Sequence, residues 1–107
     1  MMSMKLTEEN FSTEVLQSEK PVLIDFYADW CVPCKMLSPV IEEIAGEQGG
    51  IKVCKVNVDE EPGLAGQFGV MSIPTLVVMK NGKPAASAVG VQPKGAILNL
   101  LEAEPQP

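Results

Sequence analysis

Histidine is absent from this chain of 107 residues, and cysteine occurs only three times. Without histidine the chain cannot form a Cys-His or Ser-His-Asp catalytic arrangement, and it cannot bind a metal ion through imidazole. Three cysteines cannot by themselves complete a tetrahedral zinc site, because a carboxylate would have to supply the fourth ligand. Structural zinc on a single Cys-x-x-Cys pair remains an alternative, but redox chemistry suits such a pair better.

Long apolar runs and clusters of basic residues are also missing. Eight basic and fourteen acidic residues give a net charge of -6, so we expect no nucleic-acid partner. Residues 1–8 lack the apolar segment of a signal peptide, and no later run approaches membrane-spanning length. We therefore expect a single domain over residues 1–107, located in the cytoplasm and without a membrane partner.

Two of the cysteines lie in the run Trp30-Cys31-Val32-Pro33-Cys34. Sulfurs three residues apart at the start of a helix are close enough to form a disulfide, with the first near solvent and the second turned inward. In a reducing compartment such a pair is less suited to a structural disulfide than to redox chemistry. The spacing thus predicts an attacking Cys31 and a resolving Cys34. The third cysteine, Cys54, is predicted to be a small buried apolar residue on a strand.

Strands and helices alternate along the first half of the chain. Residues 22–28 are apolar except for Asp25, which predicts a strand that is covered on both faces and central in its sheet. The pattern predicts a helix over residues 7–17, capped by Thr7, and another from residue 32 to the glycines at 46–50. The first helix is expected to bury Phe11, Val15 and Leu16. Residues 51–58 predict a second strand, parallel to the first.

The second half of the chain predicts an antiparallel hairpin. A short helix or turn over residues 60–68 precedes a strand over residues 76–79, and Asn81-Gly82 is typical of a type I′ turn. The next strand contains Pro84, which suits a sheet edge, and a last helix follows over residues 93–102. The predicted fold class is α/β: a central mixed sheet with a parallel βαβ half and an antiparallel hairpin half, flanked by helices on both faces.

Asp25 is the one acidic or basic residue in the predicted central strand. Because an ionised carboxylate is costly to bury, its pKa should rise toward the range useful for proton transfer, which makes Asp25 a candidate base for Cys34. A buried acid with a structural role is the alternative. Lys55 is either a functional partner or a strand lysine whose long side chain reaches solvent. For Pro74, base rates favour a trans bond, and a cis bond is the alternative.

The sequence resembles the thioredoxin family over nearly its full length. The resemblance rests on six segments: Asp25-Phe26-Tyr27-Ala28-Asp29-Trp30-Cys31-Val32-Pro33-Cys34-Lys35, Pro39, Lys55-Val56-Asn57-Val58-Asp59, Ser72-Ile73-Pro74-Thr75, Asn81-Gly82 and Gly90. It implies the thioredoxin fold and general reduction of protein disulfides by dithiol–disulfide exchange. We further expect a monomer without cofactor or metal, with disulfide-containing client proteins. The expected electron donor is a thioredoxin reductase of unspecified type.

The resemblance also implies roles for individual residues. Asp25 would shuttle a proton with Lys55 nearby, and Cys31 at the helix start would be favoured as a thiolate. Pro74 would be cis, and the backbone of Ile73 would hydrogen-bond an extended substrate chain. The residues around Cys31 that would bind substrate are here called the docking patch. Its members are Trp30, Val32, Pro33, Ile73, Pro74, Gly90 and Val91.

The chain departs from the usual family pattern near the cysteines. Val32 stands where the usual motif has glycine, Tyr27 where tryptophan is often found, and Met71 where a basic residue is often found. Val32 therefore leaves the redox potential and the choice of partner open. Two alternative functions remain: a thiol oxidase or disulfide isomerase on the same fold, and a non-catalytic subunit that binds through the docking patch without turnover.

Overall fold

The computed structural model describes residues 3–106, and in them five strands form one mixed sheet with the strand order β1-β3-β2-β4-β5. The strands are β1 (Met4–Lys5), β2 (Val22–Tyr27), β3 (Lys52–Asn57), β4 (Thr75–Lys80) and β5 (Lys83–Val89). The helices are α1 (Val32–Glu47), α2 (Pro62–Gln67), α3 (Lys94–Leu100) and a π-helix at Ser12–Leu16. β1, β3 and β2 run parallel, whereas β4 is antiparallel to β2 and to β5. The predicted α/β fold class is confirmed.

β2 lies at the centre of the sheet, as its nearly continuous apolar sequence predicts. Because side chains alternate along a strand, Val22, Ile24 and Phe26 enter one core cluster and Leu23 enters another. The first cluster contains apolar residues of the π-helix and α2, and the second contains residues of α1 and α3. Helices therefore cover both faces of the sheet.

The second half of the redox motif, Val32 to Cys34, forms the first turn of α1. The helix begins at Val32, contains Pro39 in its interior and ends at Glu47, just before the glycines at 49 and 50. Leu37, Ile41 and Ile44 recur at helical spacing and are buried against the sheet. This packing holds the first turn of the helix at the end of β2.

The N-terminal helix differs from the prediction. Thr7 caps only the turn before the helix, since its N–H donates to Asn10 Oδ1 at 2.8 Å and its hydroxyl oxygen accepts from the Asn10 N–H at 3.2 Å. The N-cap of the helix itself is Phe11, which has no side-chain hydrogen bond to the helix. The chain then forms a π-helix over Ser12–Leu16 instead of an α-helix over residues 7–17. The wider turn changes which side chains share a face. Phe11 and Val15 are buried, but Leu16 is 42 % exposed, so its predicted burial was wrong.

The hairpin forms as its turn sequence predicts. Asn81 and Gly82 have φ angles of 53° and 76°, and both must be positive in a type I′ turn. β5 is an edge strand with Pro84 near its start, and α3 follows with Ile97 fully buried. The two-residue strand β1 is too short to leave a periodic signal in the sequence. Within residues 3–106, no helix combines the length and apolarity needed to cross a membrane.

Candidate functional site

Cys31 and Cys34 lie where β2 leads into α1. Their Sγ atoms are bonded as a disulfide, and their Cα atoms are 5.2 Å apart. Cys31 is the N-cap of α1, and its Sγ accepts a hydrogen bond from the Cys34 N–H at 3.2 Å. A backbone N–H of the first helical turn, which has no carbonyl partner within the helix, therefore points at this sulfur, where it would stabilise a thiolate after reduction.

The two cysteines differ in their neighbours and not in their exposure. Both are 4 % exposed in the oxidised pair, so the predicted contrast between a solvent-facing Cys31 and an inward Cys34 was wrong for this state. The reason is that Ile73, far along the sequence, packs against the cluster of Ala28, Cys31 and Cys34. Cys34, by contrast, lines a cavity that is partly open to solvent.

The loop before β4 brings Ile73 and Pro74 to Cys31. The Ile73-Pro74 bond is cis, in contrast to the base rate for such bonds, and the Ile73 carbonyl oxygen lies 3.9 Å from Cys31 Sγ. The Gly90 N–H donates to the Pro74 carbonyl at 2.8 Å. This hydrogen bond places Gly90, and Val91 after it, at the same end of the sheet as the cysteines. Residues from three distant segments are thereby brought together.

The remaining members of the docking patch are exposed. Trp30 is 68 % and Val32 64 % exposed, and Pro33 and Val91 also face solvent. The Trp30 Nε1–H donates to Asp59 Oδ2 at 2.8 Å, which restrains the indole ring. Large apolar side chains at the surface around a reactive group are typical of a site that binds another chain.

Asp25 lies on β2 with only 3 % of its surface exposed. Its Oδ1 has no hydrogen-bond partner among residues 3–106. Burial raises the pKa of Asp25 from 3.8 to about 6, while the charge of Lys55 lowers it and the charge of Glu42 raises it. A cavity of about 140 Å³ joins Asp25 to Cys34, and this volume is large enough for water. The other residues that line it are Tyr27, Ala28, Asp29, Lys35, Ser38 and Lys55.

Lys55 lies opposite Asp25 in the register of β2 and β3. Its Nζ is 3.8 Å from Glu42 Oε2 and 4.9 Å from the centroid of the Tyr27 ring. Glu42 also accepts two hydrogen bonds from Ser3, one from its N–H to Oε1 at 2.8 Å and one from its hydroxyl to Oε2 at 2.6 Å. The surroundings of Asp25 therefore extend beyond Lys55 to α1 and to the N-terminal segment.

The family model described as Thioredoxin matches residues 2–103. The chain belongs to the thioredoxin family. "Thioredoxin" of Rickettsia felis is 46 % identical over 94 % of this chain and 96 % of its own length. "Thioredoxin 2" of Chlorobaculum tepidum is 50 % identical over 90 % and 89 %, and "Thioredoxin 1" of Nostoc sp. is 48 % identical over 92 % of each chain.

Membership of the thioredoxin family confirms the predicted fold and the predicted activity. The protein is a disulfide oxidoreductase with protein-disulfide reductase activity, and the Cys31–Cys34 pair fits its redox-active dithiol. Among residues 3–106, no group of three or more histidine, cysteine, aspartate or glutamate side chains is arranged to hold a metal ion.

Two residues near the thioredoxin site, Ser3 and Glu42, were not predicted from the sequence. Glu42 carries a usable signal, since Cys34, Ser38 and Glu42 follow one another at intervals of four along α1 and so share a helix face. No sequence signal indicates Ser3, because its position depends on the pairing of the two-residue strand β1 with β3. The third cysteine, Cys54, is fully buried on β3 as predicted, and burial raises its pKa to about 11.

Proposed function

We propose that Cys31 is the nucleophile and Cys34 the resolving thiol in the reduction of client-protein disulfides. The Cys31 thiolate attacks one client sulfur, which forms a mixed disulfide and releases the other client sulfur as a thiolate. Cys34 then loses its proton and attacks Cys31, which releases the second client thiolate and leaves the Cys31–Cys34 disulfide. The single observation that carries this order is the Cys34 N–H hydrogen bond to Cys31 Sγ, because it places the helix start at that sulfur.

The client chain binds across the docking patch in an extended conformation. The exposed rings of Trp30 and Pro33 and the side chains of Val32 and Val91 supply apolar contact. Ile73 supplies backbone hydrogen-bonding groups next to the sulfur, since its carbonyl oxygen is 3.9 Å from Cys31 Sγ. Backbone recognition of this kind accepts many sequences, which suits a general reductase.

Asp25 accepts the proton of Cys34 through water in the cavity that joins the two residues. Its carboxyl group has a pKa of about 6, so near neutral pH it is ionised and retains appreciable basicity. Lys55, opposite Asp25 on β3, stabilises the ionised form. The proton leaves the buried pair by the same cavity.

Each cycle oxidises the dithiol by two electrons, which must be returned by a donor. We propose that a thioredoxin reductase supplies them and that the protein acts as a monomeric single domain over residues 1–107 in the cytoplasm. The exchange steps above use neither a cofactor nor a metal, because the cysteine sulfurs exchange the disulfide bonds and water and the Asp25 carboxylate transfer the proton.

Reduction of insulin by dithiothreitol tests the assignment of the cysteines. Cys31→Ser should lower the rate to that of dithiothreitol alone, whereas the matched variant Cys54→Ser should retain the wild-type rate because Cys54 is buried away from the pair. Cys34→Ser should accumulate a mixed disulfide with insulin that can be isolated on a non-reducing gel. Full activity of Cys31→Ser would overturn the assignment.

A further inference from the structure

A continuous series of polar contacts links the N-terminal segment to the Lys55–Asp25 pair. Ser3 holds both oxygens of the Glu42 carboxylate, through its N–H at 2.8 Å and its hydroxyl at 2.6 Å. Ser3 directly precedes β1, where Lys5 pairs with Lys55, and the next N–H, that of Leu6, donates to the Lys55 carbonyl at 2.9 Å. The segment that holds Glu42 is therefore anchored to the strand that carries Lys55.

The Lys55 ammonium group is positioned by Glu42 and Tyr27. Among residues 3–106, the one ion pair of Lys55 within 4 Å is with Glu42, and the face of the Tyr27 ring lies 4.9 Å away. A carboxylate this close offsets much of the positive charge that Asp25 experiences from Lys55. Glu42 therefore opposes the ionisation of Asp25 both directly and by engaging Lys55.

Charged and titratable groups face Asp25 from β2 and the residues after it, from β3 and from α1, whereas β4 places the apolar Leu76 opposite it. Lys55 faces it from β3, Glu42 and Lys35 from α1, and Tyr27 and Asp29 from β2 and the residues after it. Glu42 differs from the others in being held by two hydrogen bonds from outside the cavity. A glutamate on a helix whose side chain is 32 % exposed would otherwise sample several rotamers, at a cost in entropy when it is fixed.

We propose that Ser3 and Glu42 act as a positioning pair that controls the protonation of Asp25, with Ser3 fixing the Glu42 carboxylate against Lys55. Glu42 acts by its charge, and Ser3 acts only through Glu42. The effect of this positioning pair on catalysis rests on the proposed function, in which Asp25 is the base for Cys34. Loss of either residue lets Lys55 stabilise the Asp25 carboxylate more strongly, which makes Asp25 a weaker base.

The experiment follows the titration of the Asp25 carboxyl carbon by NMR in the oxidised full-length protein. In that state the disulfide removes the Cys31 and Cys34 thiols from the titration. Glu42→Gln should lower the midpoint by roughly half a pH unit, and Ser3→Ala by less because the backbone N–H still holds one oxygen. The matched control is Glu43→Gln. This variant removes a charge from the neighbouring residue, but that residue pairs with Lys94 at 2.9 Å and not with Lys55. It should leave the midpoint in place, and Ser3→Thr should retain the wild-type value.

The double variant Ser3→Ala/Glu42→Gln decides whether Ser3 acts through Glu42. Its midpoint should equal that of Glu42→Gln alone. An unchanged midpoint in Glu42→Gln, or a further shift when Ser3→Ala is added to it, would overturn the proposal. The titration does not depend on turnover, so it is separate from the role of Asp25 as a base. That role fails instead if Asp25→Asn resolves mixed disulfides at the wild-type rate.

Discussion

Asp25 and Lys55 lie directly opposite each other on β2 and β3, yet Lys55 forms its ion pair with Glu42 and not with Asp25 within residues 3–106. The desolvation of Asp25 therefore outweighs its attraction to Lys55, and its pKa is raised to about 6. Because the pKa of this carboxyl group is raised, its ionisation lowers the stability of the folded protein. The same property suits it to move a proton.

The first prediction concerns the pH dependence of stability. Because the folded pKa of Asp25 is above its unfolded value of 3.8, the native state binds this proton more tightly than the unfolded chain does. The resulting stability is present below about pH 4 and is lost as the pH rises through about 6. Asp25→Asn should therefore be more stable than the wild type by about 2 to 3 kcal/mol at pH 8, with little difference at pH 4.

Urea unfolding of the oxidised protein at the two pH values measures this effect. Asp29→Asn serves as the control, because Asp29 is exposed although it lines the same cavity. It should change the free energy of unfolding by less than about 0.5 kcal/mol at either pH. A gain for Asp25→Asn that is equally large at pH 4 and pH 8 would show that ionisation is not its source.

The second prediction concerns the rate at which Cys34 resolves a mixed disulfide. Without the Asp25 carboxylate, Asp25→Asn should resolve about tenfold or more slowly near pH 7, and the inflection near pH 6 in the rate profile should disappear. Formation of the mixed disulfide by Cys31 should remain within about twofold of wild type, as the Asp25 cavity is lined by Cys34 and not by Cys31. The fluorescence of Trp30, the single tryptophan, reports both steps in stopped flow. An unchanged pH profile would contradict the role of Asp25.

The third prediction concerns Val32, which occupies the first position of α1 and is 64 % exposed. Val32→Gly should lower kcat/KM for insulin several-fold, because it removes apolar contact area next to Cys31, at roughly 0.8 kcal/mol for each methylene equivalent. Reduction of Ellman's reagent, which has no flanking peptide, should change less. The potential of the Cys31–Cys34 couple should be measured in both proteins by equilibration with dithiothreitol, since the potential also separates a reductant from an oxidant or isomerase. Unchanged potential and unchanged partner kinetics would together reject a tuning role for Val32.

The fourth prediction concerns the reactivity of the third thiol. Cys54 is fully buried and its pKa is raised to about 11, so almost no thiolate is present at pH 8. Native reduced protein should react with Ellman's reagent at two thiols, and the third should react only after guanidinium unfolds the chain. Cys54→Ala should abolish that late reaction and leave the two fast thiols unchanged. Rapid modification of three thiols in the native protein would show that Cys54 is accessible.

Features encoded within a few neighbouring residues were predictable from the sequence. Asn81-Gly82 predicts its turn because few residue pairs adopt two positive φ angles. The apolar run around Asp25 predicts a central strand, and burial of Asp25 follows from it. The N-terminal helix was mispredicted because an apolar stripe over so few residues fits an α-helix and a π-helix almost equally well.

The sequence by itself determined the Cys31–Cys34 chemistry, since spacing along one helical turn sets the distance between the two sulfurs. Tertiary structure alone decided what surrounds them. The contact of Ile73 with Cys31 spans 42 residues, and the contact of Ser3 with Glu42 spans 39. Such contacts depend on the strand order and the register of parallel strands, which no local pattern specifies. The motif therefore defines the reaction, and the fold defines the groups that bind the client and hold the proton.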